Sequence, residues 1–188
     1  NSHPHIHHDA DEKESADEHH HHAGGVEPHI WNSATNAQII ARNILTALCT
    51  IDKPNENMYV ERFNKLCSEI EQTDSLIQRL LSNPAADRAF MIYHPALSYF
   101  ARDYKLHQIP IEAGGKEPSP AHLRELINTC KKEKVRVIFV QPEFDRRNAD
   151  LIAQQTETEV IPINPLAYDW HAEMLNTAKA LVKPDSNK

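Results

Sequence analysis

The sequence predicts an α/β fold in which a four-stranded parallel sheet, flanked by helices, follows one long connector helix. Three observations carry that expectation. From Ala89 onward, short β-rich runs alternate with stretches of helical periodicity, the pattern of strand–helix–strand units that build a parallel sheet. Between Glu56 and Ser82 no Gly or Pro interrupts an amphipathic pattern, long enough for a rod of about 40 Å. Residues 1–25 hold almost no large apolar side chains, so they cannot offset the entropy cost of ordering and are expected to form a mobile loop ahead of the fold.

Each element has its own local signal. Ser33 suits the N-cap of a first helix running to about Thr50, with Ile40, Ile44, Ala47 and Leu48 at helical spacing and Pro54 beyond its end. The long helix places Tyr59, Phe63, Leu66, Ile70, Ile77 and Leu80 on one stripe. Ala89–Tyr93, Gln108–Glu112, Val135–Val140 and Glu159–Ile163 read as buried parallel strands. Between them lie helical stretches Pro95–Tyr104, Pro120–Glu133 behind an N-cap at Ser119, and Arg146–Gln155 behind Asp145. A last helix is expected from about Tyr168 to Val182.

Composition narrows the function. At 188 residues the chain suffices for one well-buried domain. The formal charge is −7, and residues 1–23 carry −5 of it through six acids against Lys13, leaving the remainder nearly neutral. Without a Lys/Arg stripe, nucleic acid is not an expected partner. No run of about 18 apolar residues encodes a membrane-spanning helix, and any signal peptide lies outside this sequence. Cys49, Cys67 and Cys130 show no CxxC spacing and sit in apolar helical patterns. They read as packed thiols, with a Cys49–Cys67 disulfide as the alternative in an oxidising compartment.

In open parallel sheets ligands bind beyond the carboxyl ends of the strands, where this sequence places His94, Glu112, Gln141 and Asn164. His94 and Asn164 are each followed by proline, which fixes the backbone as it leaves the sheet. His29 stands just before the first helix. Eight further histidines (His3, His5, His7, His8, His19, His20, His21 and His22) fall in the first segment among its acids. A purification tag would be an unbroken block, whereas Pro4, Ile6 and the acids interrupt this run. Imidazoles with carboxylates suit Zn²⁺ better than the oxygen-preferring Mg²⁺ or Ca²⁺, while Cu²⁺ and Ni²⁺ would also bind. Gly114-Gly115-Lys116 lacks the remainder of a phosphate loop, and neither GxSxG nor HExxH occurs.

Taken together, the His/acid-rich segment, Glu27-Pro28-His29-Ile30-Trp31, Tyr93 to Tyr104, Glu112 to Ser119 and Ile163 to Trp170 resemble the zinc and manganese solute-binding proteins of ABC importers, within them the zinc-specific branch. The resemblance implies two α/β lobes joined by a long helix, with one metal between them. Residues 1–25 would be a His-rich loop, 26–54 the end of the N-terminal lobe, 55–84 the connector and 85–188 the metal-binding lobe. It implies Zn²⁺ as the ion, Mn²⁺ being the alternative, and an ABC membrane permease as partner. It further implies a monomer that is no enzyme, periplasmic or lipid-anchored outside the membrane.

His29 would be a ligand from the N-terminal side and His94 one from the C-terminal lobe. Asn164 stands where the family commonly has aspartate, a possible ligand position with a weaker, uncharged oxygen. An earlier ligand histidine and the main sheet of the N-terminal lobe would precede this stretch. The eight histidines of the first segment would raise the local zinc concentration, and acid should release metal because protonated imidazole does not coordinate. Rival readings are a metal-buffering or adhesion-type surface protein, and an α/β enzyme using His94 and Glu112 as acid and base.

Overall fold

The computed structural model of the chain describes residues 26–182. Helix α1 (Ala34–Ile51) begins at Ser33, whose hydroxyl accepts from the amide of Asn36 and so satisfies a free N–H of the first turn. A single 3-10 turn, Lys53–Asn55, reverses the chain into α2 (Glu56–Leu81), about 39 Å of continuous helix at 1.5 Å per residue. Strands β1 (Ala89–Ile92), β2 (His107–Pro110), β3 (Val137–Val140) and β4 (Glu159–Pro162) then alternate with α3 (Ser98–Tyr104), α4 (Pro120–Lys132) and α5 (Arg147–Thr156), and α6 (Trp170–Ala180) is the last element among the described residues. The strands form one parallel sheet in the order β2-β1-β3-β4.

Both faces of the two central strands are covered, so every residue of β1 and β3 is buried, as expected of a parallel sheet clothed by helices. On one face Phe90, Ile92, Val137 and Phe139 pack against Ile77 and Leu81 of α2, Phe100 of α3 and Met174 and Ala178 of α6. On the other, Met91, Ile109, Ile138 and Val140 pack against Leu126 and Cys130 of α4 and Ala149 and Ile152 of α5. The period-two alternation of each strand thus serves two cores at once. At the entry end, Arg136 donates two bonds to Asp87, at 2.7 and 2.6 Å, tying the approaches to β1 and β3 in a bidentate pair.

The long helix is fastened to the sheet layer as well as packed on it. Tyr104 of α3 donates to Asp74 at 2.8 Å, and burial, followed by that bond, pushes its hydroxyl far above the ordinary tyrosine range. Thr73 donates to the Glu69 carbonyl at 2.8 Å and pairs with the His171 ring at 2.6 Å, so the imidazole is the donor in the second contact.

Several sequence expectations shift in detail. The buried side of α1 carries Ala34 and Ala41, with Leu45 and Leu48 half-buried, whereas Ile44 is 54% exposed; the small alanines let this face approach its neighbours closely. Leu66 in α2 is likewise exposed. Helix α3 starts at Ser98 rather than Pro95 because the Ala96 amide bonds the His94 carbonyl at 2.7 Å in a three-residue turn. Strand β2 begins a residue early, yet the amides of Ile111 and Glu112 still bond Ile92 and Tyr93, at 2.8 and 3.1 Å. Strand β3 begins at Val137 rather than Val135.

Cys49, Cys67 and Cys130 are free thiols. Cys49 lies near the end of α1 and Cys67 three turns into α2. In an antiparallel pair those levels differ by about 13 Å along the axes, out of disulfide reach. No described helix is long and apolar enough to cross a membrane.

Phe139 sits edge-on to Phe90 at 5.4 Å between ring centroids and is fully buried. Phe139→Ala is expected to lower stability by about 3–5 kcal/mol in urea denaturation; a loss below about 1 kcal/mol would contradict this account of the core.

Candidate metal centre

The strand order creates a switch point. After β1 the chain turns through α3 to β2 on one side, and after β3 it turns through α5 to β4 on the other. A crevice opens where adjacent strands send their connections apart, beyond their carboxyl ends. His94 leaves β1 and Gln141 leaves β3 at that place. Gln141 is buried to 3% exposure and spans the gap: its Nε2 donates to the His94 carbonyl at 2.6 Å and its Oε1 accepts from the His94 amide at 3.3 Å. The backbone of His94 is therefore held by a side chain where strand pairing ends.

The ring of His94 stacks on Phe144 at 5.3 Å and 22°, and Phe144 in turn stacks on Tyr93. Its Nδ1 donates to Glu112 Oε1 at 3.0 Å. Glu112 follows β2 and sits immediately before a tight turn closed by paired Ala113 and Lys116 bonds. Gly114 and Gly115 occupy that turn at φ 60° and 78°, a conformation that excludes most other residues. The glycine pair shapes the loop beside the site rather than cradling phosphate.

His29 reaches the same place from the segment ahead of α1, which is stitched to the sheet lobe along its length. Trp31 donates from Nε1 to the Pro165 carbonyl at 2.8 Å, and Trp170 returns an identical bond of 2.8 Å to the Trp31 carbonyl. Asn32 donates to the Ala96 carbonyl at 3.0 Å, and Ser33 donates to Asp103. Tyr99 donates to the Glu27 carbonyl at 3.2 Å. The His29 ring donates from Nδ1 to Glu27 Oε1, which also accepts the His29 amide at 3.0 Å. Burial pushes the Glu27 carboxyl upward, but bonds from the His29 amide, Ser98 and the His29 ring outweigh it and hold the group below the ordinary glutamate range.

With both Nδ1 atoms bonded to carboxylates, the two Nε2 atoms are turned toward each other 3.2 Å apart, and two lone pairs at that separation repel unless a proton or a cation lies between them. A tetrahedral zinc ion with metal–nitrogen bonds of about 2.0–2.1 Å holds adjacent nitrogens about 3.3–3.4 Å apart. The pair therefore already spans nearly one edge of such a site. Carboxylates on the far side of ligating rings are the usual means of fixing their tautomer and aim. Among the described residues no group of three or more His, Cys, Asp or Glu side chains converges as a complete metal site; what converges is this pair.

The structure thus brings His29 and His94 together. Asn164 is exposed after edge strand β4, its Oδ1 accepting from the Leu166 amide at 3.1 Å and its own backbone amide donating to the Glu173 carboxylate at 2.7 Å, and no bond joins it to either ring. His3, His5, His7, His8, His19, His20, His21 and His22 lie outside the described residues. Sequence inspection of strand ends reaches Glu112 and Gln141 but gives no orienting role to Glu27, Ser98, Gln108 or Phe144. The carboxylate two residues before His29 was the one available signal.

The fold has counterparts among solved structures. The fold superposes on a crystal structure of ZnuA with a TM-score of 0.78 at 34% identity, covering 82% of this chain and 60% of that one. A zinc-bound ZnuA deletion mutant gives 0.77 at 32% identity, covering 85% and 62%. Residues 2–183 match the family described as the periplasmic zinc-uptake complex component A, ZnuA, and the chain belongs to that family. The high-affinity zinc uptake system protein ZnuA of Bacillus subtilis is 27% identical over 165 residues, 87% of this chain and 48% of the relative. A putative metal-binding protein of Treponema pallidum is 32% identical over 146 residues, 76% of this chain and 45% of the relative. The chain spans about half the length of the curated relatives it matches. The family is one of binding components of transport systems, not of enzymes.

Trp170→Phe deletes the donor to the Trp31 carbonyl while keeping an aromatic ring. Amide exchange at residues 29–33 is expected to accelerate about fivefold, the equivalent of about 1 kcal/mol, with β1 and β3 unchanged; unchanged exchange at 29–33 would show that this bond does not hold the segment.

Proposed function

We propose that this chain captures Zn²⁺ outside the cytoplasmic membrane, with His29 and His94 as nitrogen ligands, and delivers it to an ABC permease. The observation that carries this reading is the pair of Nε2 atoms 3.2 Å apart, each ring backed by its own carboxylate. On this reading residues 26–54 end one lobe, 55–84 form the connector and 85–188 the metal-binding lobe. The remaining coordination positions are filled by water or by donors beyond the pair, Asn164 being one candidate. The eight histidines between His3 and His22 act as auxiliary, exchangeable sites. Relatives named as zinc-binding lipoproteins in Streptococcus pneumoniae and the periplasmic description of the family support a place outside the membrane, in the periplasm or on a lipid anchor.

The donor type favours zinc over manganese, because imidazole suits Zn²⁺ while Mn²⁺ prefers oxygen. A Yersinia pestis relative named an iron-binding protein, 28% identical over 138 residues, keeps Fe²⁺ as the competing ion.

Calorimetric titration of the full chain, with the eight early histidines replaced by asparagine, is expected to show one zinc per chain. His29→Ala or His94→Ala should weaken it at least tenfold. Unchanged affinity in both variants would refute the assignment, and tighter binding of Fe²⁺ than Zn²⁺ would refute the choice of ion. Acidification should release the ion, since a proton and a metal compete for the same lone pair; zinc occupancy that is flat from about pH 8 to pH 5 would contradict ligation by imidazole.

A further inference from the structure

We propose that Gln108, acting through Ser98 and Glu27, is a positioning residue that fixes the tautomer and aim of His29. This deepens the proposed zinc reading and rests on it for its consequence, although the relay itself is a property of the protein alone.

The direction of every bond in the relay is dictated by the one before it. Gln108 Oε1 accepts from the Leu97 amide at 2.8 Å. That orients the carboxamide, so its Nε2 is the donor to Ser98 Oγ at 3.0 Å. The Ser98 hydroxyl, already accepting, places its single proton on Glu27 Oε2 at 2.8 Å, a shorter contact than its alternative to the Pro95 carbonyl at 3.3 Å. Glu27 then has Oε1 free to accept both the amide and the Nδ1–H of His29. The outcome is an imidazole protonated at Nδ1 with its Nε2 lone pair turned toward His94.

Two features make this more than local satisfaction of polar groups. The relay crosses from the segment ahead of α1 into the sheet lobe, linking residues 71 and 10 positions apart in sequence. It also starts on the same edge strand that supplies the support for the other ring: Gln108 lies within β2, and Glu112 follows it. Edge strand β2 therefore sets the orientation of both imidazoles, one directly and one through three side chains.

The test uses the full chain with the eight early histidines replaced by asparagine. Ring ¹⁵N shifts of His29 are measured without metal at alkaline pH, and Zn²⁺ affinity is measured by competition with a chromophoric chelator. Ser98→Ala is expected to move His29 from the Nδ1–H form toward a mixture of tautomers and to weaken zinc about tenfold. Ser98→Thr, which keeps the hydroxyl, should restore both. Gln108→Glu accepts from Ser98 instead of donating, reverses the relay, and should shift the tautomer in the same sense. An unchanged His29 tautomer in Ser98→Ala and Gln108→Glu overturns the proposal. If zinc binding in the background is indifferent to His29→Ala, the zinc reading fails, and the metal-free tautomer measurement still decides the relay.

Discussion

The parallel pairing of β1 with β3 is the constraint on which the rest depends. These are the two strands buried on both faces, and the bidentate Arg136–Asp87 pair closes their entry ends. Because their connections depart in opposite directions, nothing from the sheet fills the space beyond their carboxyl ends. Gln141 occupies that gap with both atoms of its carboxamide bonded to the backbone of His94. A buried amide that found no partner would be costly; here the two groups satisfy each other, and two bonds from one side chain hold the His94 backbone.

The second histidine is held by a different means. His29 lies outside the sheet, and its position comes from the reciprocal indole–carbonyl bonds of Trp31 and Trp170, reinforced by Asn32 and Ser33. A residue assigned by resemblance to the N-terminal side is thus docked on the sheet lobe. The two nitrogens thus face one another on one packed unit before any ligand is added. Holding ligand geometry through packed and hydrogen-bonded supports is what separates a specific site from a collection of donors.

Much of this was legible in the sequence where the signal is local or periodic. The alternation after Ala89 gave the sheet, and the caps at Ser33 and Ser119 took the roles expected of them. His94 was reachable because polar residues at strand ends stand out against apolar strands. The displaced details share a physical cause. Helical periodicity alone does not say which of two neighbouring faces meets the partner, so Ile44 and Leu45 exchanged roles. A proline after a histidine marks a turn but not its length, so α3 began later than expected. The orienting network was hidden because hydrogen bonds between Glu27, Ser98 and Gln108 depend on rotamers and on contacts distant in sequence.

The central claim is that the His29–His94 pair is the ordered place for zinc. Anomalous diffraction at the zinc edge from crystals of the zinc-loaded chain tests it most directly. The account predicts a principal peak between the two Nε2 atoms, about 2.0–2.1 Å from each. A principal peak elsewhere, with the two rings still facing each other across an unfilled contact, would contradict it.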